Sequence, residues 1–310
     1  MKRALITGAT GFIGSHLTEA LLKSGWQVVA LTRRAVKPVL PNIVVVTADL
    51  ANPDSLIRAV SHAGSLNAIF HLAARLPGND DAHVAAFLSE NGVATATLLE
   101  ASLDSDCQCF VYASTMGVVG RPLIEPIHED HPVSFRHSYF LGKFAGEIAC
   151  LLESKRMRTV AMRIASPYGP GMAENSVLPR WVDQALRGDA LEVWGQGTRA
   201  QDFIHVSDVV KGLMLAASNA PPGVYNLGSG KATTMAELAQ AVVRAVGGGN
   251  AIRSALRPDP EEGVRWRLDL SRSMAMLGFH PDMEFEHGLL EYAAWRRGLY
   301  EWRPWWDKGI

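Results

Sequence analysis

The sequence predicts an α/β fold: a doubly wound parallel sheet followed by a smaller α/β lobe. Three observations carry this. Short apolar runs alternate with helical patterns as far as Ile164. The first run ends in glycines spaced three apart that open a helix. From about residue 170 Gly, Pro and Trp become frequent and the rhythm changes. Near-continuous apolar strands separated by helices belong to a parallel sheet covered on both faces.

Taken in order, Ala4–Thr7 reads as a strand and Phe12–Ser24 as a helix. Gln27–Thr32 and Ile43–Thr47 are the second and third strands. Pro53–His62 is a helix, with Asn52 as N-cap and Pro at its first position. Ala68–His71 is the fourth strand, followed by a long helix within Asp81–Leu103. Cys109–Ala113, the helix Ser138–Glu153 and Thr159–Ile164 complete the first half. Beyond it, Val209–Ser218 and Thr234–Val246 are helical, separated by short strands. Tyr300–Trp306, with three Trp and one Tyr, reads as a segment packed as a cap on the second lobe.

Bulk properties narrow the function classes. With 48% hydrophobic and 20% charged residues, 310 residues suffice for one large core or two modest ones. A formal net charge of −1 gives no electrostatic footprint for nucleic acid or a membrane surface. No run reaches the roughly 18 apolar residues of a membrane helix, and the opening apolar run is cut at once by glycines, unlike an export signal. Cys107, Cys109 and Cys150 have no zinc-ligand spacing and read as reduced, buried residues, which fits a cytoplasmic location. The ten His are scattered, so no metal is expected.

Gly8, Gly11 and Gly14 follow a strand and open a helix, the context in which such spacing cradles a pyrophosphate. Gly8 permits the turn, Gly11 lets backbone approach the phosphates, and Gly14 allows close packing. The first half is therefore a Rossmann-type dinucleotide-binding unit, expected over residues 1–170. Residues 171–310 are expected to form the substrate lobe, with some exchange of segments. An acid ending the second strand would bond a ribose 2′-hydroxyl; Thr32 stands there, followed by Arg33 and Arg34, which suits a 2′-phosphate. NADP is favoured over NAD. Asp49 and Leu50 are placed to contact the adenine.

Tyr139 and Lys143 are four apart on one helix face. A phenol is a poor base at neutral pH; a neighbouring ammonium and an oxidised nicotinamide lower its pKa. Tyr139 can then exchange a proton with a substrate hydroxyl while hydride moves. Thr115 supplies a hydroxyl to orient the substrate oxygen, with Ser114 as the alternative donor. His137 lies near Tyr139 and reads as a solvated or capping residue.

With these motifs in place, the sequence resembles the extended short-chain dehydrogenase/reductase superfamily, in its nucleotide-sugar epimerase/dehydratase branch. The resemblance covers almost the whole chain. Thr7-Gly-Ala-Thr-Gly-Phe-Ile-Gly14 is similar to the family's cofactor loop, which adds Phe12 and Ile13 to the cofactor set. His71-Leu-Ala-Ala74 is similar to the stretch along the cofactor, implying roles for Leu72, Ala73 and Ala74; Asn91 matches an Asn near the nicotinamide. Thr115, Tyr139 and Lys143 match the catalytic group, and Ser114, Tyr139 and Lys143 are expected among the cofactor contacts as well. Trp194-Gly-Gln-Gly197, Asp202-Phe-Ile-His-Val-Ser-Asp208 and Arg257-Pro-Asp259 match lobe motifs that hold substrate.

The resemblance implies substrate contacts at Ser166, Trp194, Gln201 and Arg257, and Arg199 joins them as a cation two residues from Gln201. Two of these depart from the pattern: Ser166 stands for Asn, and Gln201 for a phosphate-binding Arg. Thr115-Met116-Gly117 lacks the Asp-Glu pair of the 4,6-dehydratases, which disfavours dehydration by that route. The resemblance also implies a homodimer, its helices Asp81–Leu103 and Ser138–Glu153 pairing across the interface. The expected activity is of the epimerase/dehydratase type, on the hydroxyl or ketone of a sugar nucleotide. The alternatives are an NADPH-dependent reductase of a keto-sugar or small ketone, and a non-catalytic dinucleotide-binding protein.

Overall fold

The computed structural model describes residues 1–38, 40–78, 83–172 and 176–307. In chain order the elements are β1 (Arg3–Thr7), α1 (Phe12–Lys23), β2 (Gln27–Thr32), β3 (Ile43–Thr47), α2 (Pro53–Ala63), β4 (Ala68–His71) and α3 (Val84–Phe87). A π-helical turn, Leu88–Val93, leads without a break into α4 (Ala94–Leu103). Then come β5 (Cys109–Thr115), α5 (Ser138–Glu153), β6 (Arg158–Ile164), β7 (Ser166–Tyr168), α6 (Val177–Leu186), β8 (Leu191–Val193), β9 (Ala200–Gln201) and β10 (Phe203–His205). The chain continues through α7 (Val206–Asn219), β11 (Gly223–Leu227), β12 (Thr233–Thr234), α8 (Met235–Val246), β13 (Ile252–Ser254), α9 (Ser271–Leu277) and α10 (Phe285–Arg296).

Seven parallel strands form one sheet in the order β11-β6-β5-β4-β1-β2-β3. The order reverses between β1 and β4, and a ligand crevice opens at the carboxyl ends of strands at such a switch point. Successive residues face opposite sides of a strand. Thus Ala4, Ile6, Val28, Ala30, Ala68 and Phe70 enter one core with α1 and α7. Leu5, Val29, Leu31, Ile69 and Phe110 enter a second with α2 and α4. A third core joins α6, α8 and α10. Among the described residues no helix is long and apolar enough to cross a membrane.

Local chemistry sets the helix ends. Asn52 accepts from Ser55 N at 3.1 Å with Pro53 at the first position of α2. Thr234 and Glu237 form a reciprocal capping box on α8, which Gly247 closes at φ +68°. His137 caps α5, its Nδ1 accepting from Tyr139 N at 3.0 Å.

The structure refines three sequence expectations. The long helix expected within Asp81–Leu103 runs on from Val84 to Leu103 with the π-helical turn inside it, and Asp81 and Ala82 lie outside the described residues. The seventh strand of the main sheet, β11, comes from the second half of the chain. Tyr300–Trp306 does not simply cap the lobe: Trp305 is fully buried in the core beneath α1. An indole there covers apolar surface that α1 and the sheet leave open. Cys109 and Cys150 are buried as expected, while Cys107 is only half-buried. Burial pushes the Cys109 thiol up to about 12 and Cys107 to about 11, so both remain unreactive thiols.

Candidate active site

A cavity of about 740 Å³ opens at the strand switch point. Gly8, Gly11, Phe12, Ile13 and Gly14 border it beside Thr32, Arg33, Asp49 and Leu50. Leu72, Ala73, Ala74, Ser114, Thr115, Tyr139 and Lys143 border it too. These candidates therefore meet on one cavity.

The three loop glycines have different reasons. Gly8 has φ +68°, and a Cβ there would lie 2.9 Å from Ala73 N. A Cβ on Gly14 would lie 2.0 Å from the Gly8 carbonyl oxygen, so Gly14 packs on the turn itself. Gly11 has an ordinary φ of −77°, and its Cβ would meet just one protein atom, the Gly8 carbonyl oxygen at 3.2 Å. What a side chain at Gly11 would obstruct is the cavity it borders, at the N-terminus of α1. A pyrophosphate fits there, met by amides and the helix dipole.

At the end of β2 the Thr32 hydroxyl donates to Arg34 O at 2.8 Å, and Arg33 is exposed at the cavity. Asp49 caps its own turn, Oδ1 accepting from Ala51 N at 3.0 Å.

A buried chain of hydrogen bonds ties β1 to β4 beneath the loop. Thr95 donates its hydroxyl proton to Asn91 O at 2.5 Å. Its oxygen lies 2.9 Å from His71 Nε2, so that nitrogen carries the proton. His71 Nδ1 then accepts from the Thr7 hydroxyl at 2.7 Å, and Thr7 Oγ1 accepts from Ala73 N at 3.1 Å. Burial, reinforced by the charge of Lys143, lowers His71 to about 3 and keeps it neutral.

Asn91 sits in the π-helical turn and does not border the cavity. Its side chain accepts from Arg75 N at 2.7 Å and donates to Arg75 O at 3.0 Å. It shapes the segment after Ala74 from behind. Arg75 itself borders the cavity, paired with Glu90 at 2.7 Å. Sequence reasoning missed Thr10, Arg75, Glu90 and Pro167, all of which border the cavity. Thr10 lies inside the glycine loop and Arg75 directly follows Ala74, so adjacency could have found both.

On α5, burial pushes the Tyr139 phenol up to about 12. Burial also drives Lys143 down to about 7, against the opposing attraction of Glu147. The Lys143 ammonium lies 4.2 Å from the centre of the Tyr112 ring. Glu147, one turn on, is fully buried and also went unnoticed in the sequence. It accepts from the Ser114 hydroxyl and from Arg163, with Arg163 Nη2 at 2.8 Å. The Ser114 proton is thus committed. Thr115 Oγ1 accepts from Gly117 N at 3.2 Å, which leaves its own proton to donate.

The five substrate candidates do not border this cavity. Ser166 donates to Gln201 Oε1 at 3.4 Å. The Arg257 guanidinium lies 3.9 Å from the centre of the Trp194 ring. Arg199 pairs with Asp259 at 3.1 Å and Glu261 at 3.8 Å, carboxylates the sequence reading did not assign to it.

The profile of the NAD dependent epimerase/dehydratase family matches residues 4–228. A dTDP-glucose 4,6-dehydratase of Streptomyces niveus is 29% identical over 324 residues, spanning 98% of this chain and 95% of that protein. The structure of MoeE5 in complex with UDP-glucose and NAD is 32% identical with a TM-score of 0.81, covering 96% of this chain and 100% of that one. The UDP-glucose 4-epimerase of Thermus thermophilus, in complex with NAD, is 26% identical with a TM-score of 0.84, covering 96% and 100%. The strand order, the glycine loop and these matches along nearly the whole chain agree: it belongs to the NAD dependent epimerase/dehydratase family, of the extended short-chain dehydrogenase type.

Proposed function

We propose that the chain is an NAD(P)-dependent enzyme of the epimerase/dehydratase kind that transfers hydride at a hydroxyl-bearing carbon of a nucleotide sugar. The observation that carries this is one cavity bordered both by the glycine loop and by Thr115, Tyr139 and Lys143. The bound dinucleotide supplies the carbon that accepts and returns hydride and, when oxidised, a positive ring charge. Tyr139 exchanges the substrate hydroxyl proton at its Oη. With its pKa near 12 it rests protonated and becomes a base only as positive charge gathers beside it. Lys143 is the protein's share of that charge. Thr115 orients the substrate oxygen; Ser114, committed to Glu147, holds the wall of the site.

We assign the dinucleotide to Gly8, Gly11, Phe12, Ile13 and Gly14, to Thr32 and Arg33, to Asp49 and Leu50, and to Leu72, Ala73 and Ala74. Asn91 acts on it through the Arg75 backbone. NADP is placed ahead of NAD, because β2 ends without a carboxylate and Arg33 borders the cavity. That same observation favours a second reading, an NADPH-dependent reductase. The relatives named above act on or bind dTDP- or UDP-linked sugars, which supports a nucleotide-sugar substrate held by Ser166, Trp194, Arg199, Gln201 and Arg257. Met116 and Gly117 carry no acid or base, so epimerisation is placed ahead of dehydration.

A division near residue 170, a cytoplasmic site of action and a homodimer belong to the same proposal. Ile148, Leu151 and Leu152 are exposed on α5 and supply an apolar face for the dimer.

The test is to denature the purified protein, identify the released nucleotide by mass, and compare affinities for NADPH and NADH. Tightly held NAD in mixed oxidation states supports internal hydride recycling and removes the NADP preference. An empty protein that prefers NADPH turns the reading to the reductase.

A further inference from the structure

The segment Tyr300–Asp307 leaves α10 and returns to the glycine loop. Trp305 is fully buried and donates its indole N–H to Ala9 O at 2.9 Å. Ala9 lies in the turn between Gly8 and Gly11, and its side chain is fully buried as well. Trp302 stacks on His16 of α1 with ring centroids 4.2 Å apart and planes within 5°. Its carbonyl accepts from Trp295 Nε1 at 3.2 Å, and its ring covers Gly171, where a Cβ would lie 2.4 Å from it. His16 in turn bonds Pro170 O at 2.8 Å. Residues from the far end of the sequence, Trp305 lying 296 positions from Ala9, thus hold both the turn and the helix it opens.

A trans peptide is planar, so a carbonyl and the amide that follows point to opposite sides. Anchoring the Ala9 carbonyl on Trp305, in the core, sets the Thr10 N–H on the other side, and Thr10 borders the cavity. Amides at a helix N-terminus are what a bound diphosphate meets. A loop fixed before the ligand arrives has less freedom to lose on binding.

We propose that Trp305, supported by Trp302, is a positioning residue for the dinucleotide. From outside the cavity it pre-sets the loop amides that receive the diphosphate. The inference rests on the dinucleotide reading given above.

The test uses the full chain, with Trp305→Phe, which keeps an aromatic ring but loses the N–H, and Trp302→Ala at a half-buried position. Dissociation constants are measured for ADP and adenosine, along with the unfolding midpoint without ligand. Trp305→Phe is expected to weaken ADP about tenfold, the worth of one hydrogen bond, and to leave adenosine within about twofold. Trp302→Ala is expected to weaken ADP about threefold with the same selectivity, and carries the test if Trp305→Phe does not fold.

Equal losses for ADP and adenosine would reduce the tryptophans to core filling and overturn the positioning role. So would a variant that folds and binds ADP as the wild type does. If the wild-type protein binds neither ADP nor NAD(P)(H), the dinucleotide reading itself fails, and this inference fails with it. If the wild type binds and the variants match it, the positioning role alone falls.

Discussion

Tyr139 and Lys143 share a helix face and a cavity, yet burial drives the phenol up to about 12 and the ammonium down to about 7. Both shifts favour the neutral form, so the protein alone does not build a phenolate. Tyr139→Phe removes the proton-bearing oxygen and keeps the ring. Turnover is expected to fall about 10²–10⁴-fold with dinucleotide affinity unchanged. Surviving turnover would remove Tyr139 from the chemistry and overturn the catalytic assignment. Lys143 also makes a prediction about stability. Below pH about 7 native and unfolded chains are both protonated there, and the native state bears the full cost of a buried ammonium. Between about 7 and 10.5 the unfolded chain keeps the proton and the native chain does not, so stability rises with pH. Lys143→Met lacks this dependence. It is expected to exceed wild type most at or below neutral pH, with the margin closing toward pH ~10, read from denaturant midpoints without ligand. A margin flat with pH would show that burial does not set the titration of Lys143. These residues were legible because proton and hydride chemistry demands particular side chains at a fixed helical spacing. Glu147 was passed over because a carboxylate one turn beyond a lysine is usually a surface ion pair, and nothing local marks it as buried.

Helix α5 places the site by lying very close to its neighbours. A Cβ on Gly142 would stand 2.4 Å from Phe87 O, and one on Gly146 would stand 2.4 Å from the Tyr112 hydroxyl. The absence of side chains there lets α5 approach the π-helical turn and β5, so that Tyr139 and Lys143 reach the ends of the strands. Gly142→Ala sets two effects against each other. Alanine favours the helix by about 1 kcal/mol, while overpacking costs about 1–3 kcal/mol. The obstacle is a backbone carbonyl that cannot rotate aside, so the clash wins. The expected result is a net loss of about 1–2 kcal/mol in urea unfolding; a stabilised variant would mean that α3 yields. Strands and most helices were legible because alternation and capping are local signals. The π-helical turn was not. One inserted residue barely disturbs the apolar periodicity, and the bond that Asn91 within the turn makes to Arg75 reaches 16 residues back.

The whole molecule is stitched together beneath the cavity by one buried polar network. Arg163 of β6 binds Glu147 of α5 and donates to Glu129 O at 2.7 Å. Glu129 accepts from Asn226 N of β11 at 2.8 Å, and Asn226 Nδ2 donates to Ile127 O and Asp269 O at 2.8 and 3.0 Å. The network closes the sheet with a strand from the second half of the chain. No sequence window holds both ends of such a contact, which is why β11, like Trp305 on Ala9, was invisible from periodicity. Its centre is an ion pair whose side chains are 5% and 1% exposed. Charges taken this far from water gain from each other about what they lose in hydration, so the pair as a whole adds little net stability; breaking it strands one charge. Glu147→Met and Arg163→Met are each expected to cost about 3–5 kcal/mol, and the double variant clearly less than their sum. A chemical-denaturation cycle decides it. If the two costs simply add, the residues act separately, and the Glu147 carboxylate would have to be held mainly by Ser114 and Lys143. A large coupling instead makes the pair one unit, tying the catalytic helix to the strand beside it.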